Sequence, residues 1–325
     1  MRQKTILGSL AVCGLLASLP AAAQAIEVDK SIKGYAPAGG KVSGNLTSIG
    51  SDTLNNLMTL WSESFKKQYP AVKIQVEGKG STTAPPALIA GTAQLGPMSR
   101  LMKPEEVDGF EKQYGYKPTP VRVAVDGLAV FVNKDNPLEQ LTMPQVDAIF
   151  SKTRKGGAPD DIMTWGQLGL TGAWAPKPIS LYGRNSASGT YGYFKEHALY
   201  KGDYKDTVKE QPGSAAVVQG ITADKYAVGY SGIGYKTSDV KSLKLAAKDG
   251  GEFITDDAAN VYSGKYPLAR FLYIYVNKAP NKALDPLVKE FLAFVLSKEG
   301  QEIVIKDGYL PLLGQHVAEE LPKLK

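Results

Sequence analysis

The chain has 325 residues, with 38 Lys and Arg against 32 Asp and Glu, a net charge of +6 and one cysteine. That length suits about two domains, and so mild a basic balance is weak support for a nucleic-acid partner, so none is expected. Beyond residue 25 no stretch reaches the roughly 18 uninterrupted apolar residues that a membrane-spanning helix needs.

At the N-terminus, Arg2 and Lys4 precede an apolar run over residues 6–19, and Ala23-Gln24-Ala25 closes the segment. A charged start, an apolar run too short for a bilayer and a small-residue cleavage site predict a cleaved signal peptide over 1–25 and a periplasmic protein. Cys13 lies in the apolar run and leaves with it. Val12 before it does not suit a lipoprotein cleavage site. The remaining chain then has no thiol for a disulfide or a thiolate metal site. Loss of Arg2 and Lys4 lowers the net charge from +6 to +4. Residues 26–44 are rich in Lys, Gly and Pro without periodicity, and are read as a flexible arm.

Leu54, Leu57, Met58, Trp61 and Phe65 recur at helical spacing, and Pro70 ends that helix. Val72, Ile74 and Val76 alternate as in a strand. A Gly-Ser-Thr-Thr turn follows, then a short apolar helix over about 85–90, whose prolines suit a first turn. This β-α-β-α order predicts an α/β fold, with mainly parallel sheets and helices on both faces. Two long strands are expected, at 121–133 (VRVAVDGLAVFVN) and 268–277 (LARFLYIYVN). A long stretch with its own elements lies between them. This predicts an inserted domain: lobe one from 45–125 plus 270–325, lobe two from 126–269, and two hinge crossovers. Asp285 as N-cap and Pro286 at the first position open one more helix, carrying Leu287, Val288, Phe291, Leu292 and Val295.

Three polar clusters stand directly before helices. They are Ser48-Ile49-Gly50-Ser51-Asp52-Thr53-Leu54, Gly78-Lys79-Gly80-Ser81-Thr82-Thr83 and Arg184-Asn185-Ser186-Ala187-Ser188-Gly189-Thr190. The last precedes a helix with Tyr191, Phe194, Ala198 and Leu199. A buried anion needs its oxygens satisfied, and helix N-terminal N–H groups, hydroxyls and arginine do this well. One such cluster ordinarily just caps its helix, and Asp52 reads as such a cap. Three clusters, two in lobe one and one in lobe two, point to an anion gripped between lobes. Asp126 is a carboxylate among Val123, Val125, Leu128 and Val130, so it needs a partner. Arg100 and Arg184 are the candidates. His197 and His316 are too few and too separated for a metal site. No nucleophile elbow, Walker loop or His-Glu-x-x-His occurs. No enzyme activity and no cofactor are expected.

In chain order, the Gly-Ser-Asp-Thr-Leu loop at 50–54, Gly-Ser-Thr-Thr at 80–83, Leu95-Gly96-Pro97-Met98-Ser99-Arg100, the 184–190 motif, GYSGIGYK at 229–236 and KDGYLPL at 306–312 form one pattern. It resembles the phosphate-binding subunit of the bacterial high-affinity phosphate ABC transporter, over nearly the whole exported chain. The resemblance implies a two-lobed periplasmic-binding-protein-like fold, inorganic phosphate as ligand, a membrane permease as partner and a monomer. It also implies that Thr53 and Leu54, with Ser51 adjacent, meet the anion together with Ser81, Arg184, Ser188, Gly189 and Thr190. Ser99, Arg100 and Ser186 lie within the matching motifs. Well-known members of the family carry an aspartate where this chain has Arg100. That carboxylate accepts the proton of phosphate and so excludes sulfate. Arg100 would add a donor and remove the filter, leaving Asp52 or Asp126 as the acceptor. Two alternatives stand beside this reading: a secreted phosphatase on the same scaffold, using a loop Ser or Thr, and a binding protein for another tetrahedral oxyanion such as sulfate, molybdate or phosphonate.

Overall fold

In the computed structural model, residues 25–37 and 42–325 are described. The expected signal peptide falls outside them except for Ala25. The chain begins with β1 (Gly44–Ile49), α1 (Asn55–Gln68), β2 (Val72–Glu77), α2 (Ala84–Ile89), β3 (Gly96–Met98), α3 (Pro104–Tyr114) and β4 (Thr119–Gly127). It continues through β5 (Ala129–Asn133), β6 (Gln140–Thr142), α4 (Met143–Phe150), β7 (Ser180–Arg184), α5 (Gly189–His197), β8 (Lys209–Gln211), α6 (Ser214–Ala223), β9 (Ala227–Ser231), β10 (Val240–Ser242), β11 (Lys244–Ala246) and α7 (Ala258–Tyr262). It closes with β12 (Ala269–Val276), α8 (Pro286–Val295), α9 (Lys298–Lys306) and α10 (Gly314–Glu320).

The apolar stripe read in α1 is the face it buries: Leu57, Met58, Trp61 and Phe65 are all in the core. Phe65 packs edge-on against Phe291 of α8. In α8, Asp285 caps Leu287 N and Val288 N, and Pro286 opens the helix. Lobe one is built on β3-β12-β4 together with the parallel pair β1-β2. Lobe two is built on β10-β5-β9-β7-β8, with α6 covering one face.

The expected strand at 121–133 is divided at Leu128. β4 belongs to one lobe's sheet and β5 to the other's, so Leu128 is where the chain crosses. The second crossover runs beside it, because Leu128 N donates to Leu268 O at 3.1 Å. The sheets are mixed rather than mainly parallel. β12 pairs antiparallel with both β3 and β4, and β5 pairs antiparallel with β9 and β10. An inserted domain has this consequence: the chain leaves along β4 and returns along its neighbour in the opposite direction.

Residues 26–37 of the segment read as a flexible arm are docked on lobe one. Ile32 is buried. Asp29 accepts from Gly314 N at 2.8 Å, Lys33 O accepts from Lys298 N at 2.9 Å, and Tyr35 N donates to Glu299 Oε2 at 2.6 Å. The Tyr35 hydroxyl donates to Glu290, and its ring meets Phe294 edge-on. The segment has no periodicity because its partners are tertiary, so pattern reading had nothing to detect.

Candidate interlobe anion site

Four hydroxyls from four separate segments converge between the lobes. Thr53 lies in the 3₁₀ turn that leads into α1, Ser81 in the turn before α2, Ser99 just after β3, and Thr190 in the first turn of α5. Each is at most 1% exposed. Thr53 Oγ1 and Thr190 Oγ1 are 2.9 Å apart, Ser99 Oγ and Thr190 Oγ1 3.4 Å, and Ser81 Oγ and Ser99 Oγ 3.3 Å. Ser99 N donates to Ser81 Oγ at 3.1 Å. Hydroxyls both donate and accept, so this group can turn toward either kind of ligand atom.

Glycines let the loops approach this closely. A Cβ on Gly189 would lie 2.2 Å from Ser81 Oγ and 2.7 Å from Ser99 Oγ. Gly80 has φ +114°, and its Cβ would meet Ala187 O at 2.4 Å. Across the same contact, Thr82 N and Thr82 Oγ1 donate to Ala187 O at 3.2 and 3.1 Å. At the start of α5 the Ser188 side chain is the N-cap, accepting from Thr190 N and Tyr191 N. That sets Thr190 and the helix N-terminus against the lobe-one hydroxyls.

Two buried guanidinium groups lie nearby, Arg270 bonded to the cluster itself and Arg184 joined to Asp52, the neighbour of Thr53. Arg184, at the end of β7, donates to Ser214 Oγ at 2.7 Å and Pro212 O at 3.2 Å. Its Nη2 lies 3.2 Å from Asp52 Oδ2. Its Nε is buried with no hydrogen-bond partner among the described residues. Burial pulls this guanidinium below the usual arginine range, and Asp52 opposes that pull.

The second is Arg270 on β12, which the motifs do not include. It donates to Ser99 O at 2.8 Å and to Thr190 Oγ1 at 3.0 Å, and grips Asp126 Oδ2 with Nε at 2.9 Å and Nη2 at 2.7 Å. Its guanidinium stands over the Tyr193 ring, whose phenol burial pushes up to about 12. Asp126 thus pairs with Arg270, not with Arg100 or Arg184. Its other oxygen accepts from Ile233 N at 2.9 Å. A signal was present: a lone arginine in the apolar run LARFLYIYVN has to find a buried partner.

The remaining sequence candidates divide. Arg100 is turned away from the hydroxyls: both its Nη atoms bond Glu106 at 2.7 Å and Nη1 bonds Leu101 O at 2.8 Å. Glu106 stands in the first turn of α3, and this fork-to-fork pairing accounts for Arg100's charge. Ser186 is exposed at the loop tip and does not join the group. The N-cap of the 52–54 turn is Ser51, with no side-chain capping bond; its N–H is given to Pro97 O. Asp52 instead reaches lobe two, where its Oδ2 accepts from Ser214 N at 2.8 Å. Leu54 has its side chain in the core, leaving its backbone as the part able to meet a ligand.

Two α/β lobes joined by paired crossovers, with a donor-rich buried site formed where they meet, define a two-lobed binding protein for a small anion. The family model for the PBP superfamily domain matches residues 36–299. The chain is 58% identical over 323 residues to the phosphate-binding protein PstS of Pseudomonas aeruginosa, covering 99% of each. It is 30% identical to PstS of Staphylococcus epidermidis, over 81% of this chain and 78% of that one. The chain belongs to the PstS family of phosphate-binding proteins within the PBP superfamily. Among solved structures, a Clostridium perfringens substrate-binding protein of the phosphate ABC transporter type, solved with bound phosphate, aligns with a TM-score of 0.69 at 26% identity, over 83% of this chain and all of that one. An ABC-type phosphate transport receptor from Vibrio cholerae aligns with a TM-score of 0.64 at 25% identity, over 82% of this chain and 100% of that one.

Proposed function

We propose that this protein binds inorganic phosphate between its lobes and delivers it to the membrane permease of an ABC transporter, as an exported monomer that carries out no turnover. The observation that carries the reading is the buried group of Thr53, Ser81, Ser99 and Thr190 beside Arg184 and Arg270, drawn from both lobes. The unpartnered Arg184 Nε adds a donor that needs an acceptor. A desolvated oxyanion supplies acceptors for such donors. Each arginine is also bonded to an aspartate, Asp52 or Asp126. The site therefore holds its ligand by oriented donors more than by net charge, which leaves release possible.

Calorimetric titration of the purified protein with phosphate tests this. A saturable one-to-one binding heat is expected, and no heat from phosphate would overturn it.

A second reading, a site that also admits sulfate, is favoured by the carboxylates. Asp126 has both oxygens engaged, and Asp52 Oδ2 is taken by Ser214 N and Arg184. That leaves the amphoteric hydroxyls and Asp52 Oδ1 as acceptors for a phosphate proton. Sulfate competing measurably against phosphate supports the second reading, and complete indifference to sulfate removes it.

A further inference from the structure

This inference rests on the anion-binding reading of the interlobe site and concerns how that site stays shut. α6 has no side-chain cap of its own, because its N-cap is Gly213. The first N–H of the helix, from Ser214, is satisfied by the Asp52 carboxylate of the opposite lobe at 2.8 Å. Gly213 leaves room for it: a Cβ there would lie 3.0 Å from Asp52 Oδ1. The same carboxylate stands 3.2 Å from Arg184 Nη2. The Asp52 carbonyl in turn accepts from the Tyr235 hydroxyl, also of lobe two, at 3.0 Å. Arg184's other partners, Ser214 Oγ and Pro212 O, are in its own lobe. Of these partners only Asp52 comes from lobe one.

We propose that Asp52 is a closure latch, a positioning residue that sets how long the anion is retained without touching it. With the lobes apart, Asp52 is solvated and Arg184 presents its full charge to an incoming anion. With the lobes together, Asp52 caps α6, favourably placed against the helix dipole, and shares Arg184. The latch therefore acts on release and leaves capture unchanged.

The test is to load the purified protein with radiolabelled phosphate, chase it with unlabelled phosphate, and measure association separately. Asp52→Ala is expected to release about 10- to 100-fold faster, the loss of a charge-assisted hydrogen bond, while association changes by less than about threefold. Asp52→Asn keeps an oxygen for Ser214 N and is expected to fall between. Melting temperatures without phosphate are expected to match the parent, which separates a latch from a folding role. Unchanged release in both variants, a proportionate slowing of association, or an equal loss of phosphate-free thermal stability overturns the latch. A parent protein that retains no phosphate overturns the functional reading instead.

Discussion

The Arg270 guanidinium is bonded to Asp126, to the Ser99 carbonyl and to the Thr190 hydroxyl, so it serves the fold and the site together. Arg270→Met leaves Asp126 buried with only Ile233 N, at a cost of about 3–5 kcal/mol in urea unfolding. Adding Asp126→Asn to it is expected to recover most of that stability and none of the phosphate affinity, read by calorimetry. Arg100 behaves oppositely. Arg100→Ala is expected to lose about 1–3 kcal/mol of stability through the Glu106 pair, with phosphate affinity within a few-fold of the parent. Asp126 and Arg270, two of the three charged residues of the β4–β12 pair, are visible in the sequence, and they are direct partners in the strand register. What the sequence withholds is which strands are neighbours. Without that, the arginines of the motifs are the partners the sequence offers Asp126.

Among the elements, the helix starts were the most legible. Ser188 and Asp285 cap α5 and α8 as their residue types and positions suggest. The capping of α6 was not legible, because its carboxylate arrives from another lobe. The loop glycines can be tested at this scale. Gly189→Ala suits a helix's first turn, so lobe two is expected to keep its stability. The added methyl nevertheless overlaps Ser81 Oγ and Ser99 Oγ. Overpacking of about 1–3 kcal/mol at closure predicts phosphate binding weakened by about 5- to 150-fold, with thermal melting of the phosphate-free protein unchanged.

At the scale of the whole molecule, Asp307 lies where lobe one meets lobe two. This residue ends α9 and bonds Asn56, and its carbonyl lies 2.8 Å from where a Cβ on Gly234 of lobe two would stand. Burial pushes its carboxyl from 3.8 up to about 6, against the lowering effect of Asn56. For an acid raised in the folded state, the stabilising contribution is full below the ordinary value and is lost as pH rises through about 6. Asp307→Asn removes that loss. Its melting temperature is expected to exceed the parent's more at pH 8 than at pH 5 by scanning calorimetry, and equal differences at both pH values would refute the assignment.

The sequence by itself determined the α/β class, the extended character of 121–133 and 268–277, the apolar faces of α1 and α8, and the Ser/Thr/Gly loops ahead of helices. Each of these is written in residues close together along the chain, by periodicity, capping chemistry or turn preference. The tertiary structure alone decided that Arg270 rather than Arg100 faces the hydroxyls, that Asp126 pairs with Arg270, that Asp52 spans the lobes, and that residues 26–37 dock on α8–α10. In each case the partners are far apart in sequence. A buried charge demands a partner wherever the fold can supply one, and only the folded arrangement of strands and lobes decides which group is within reach.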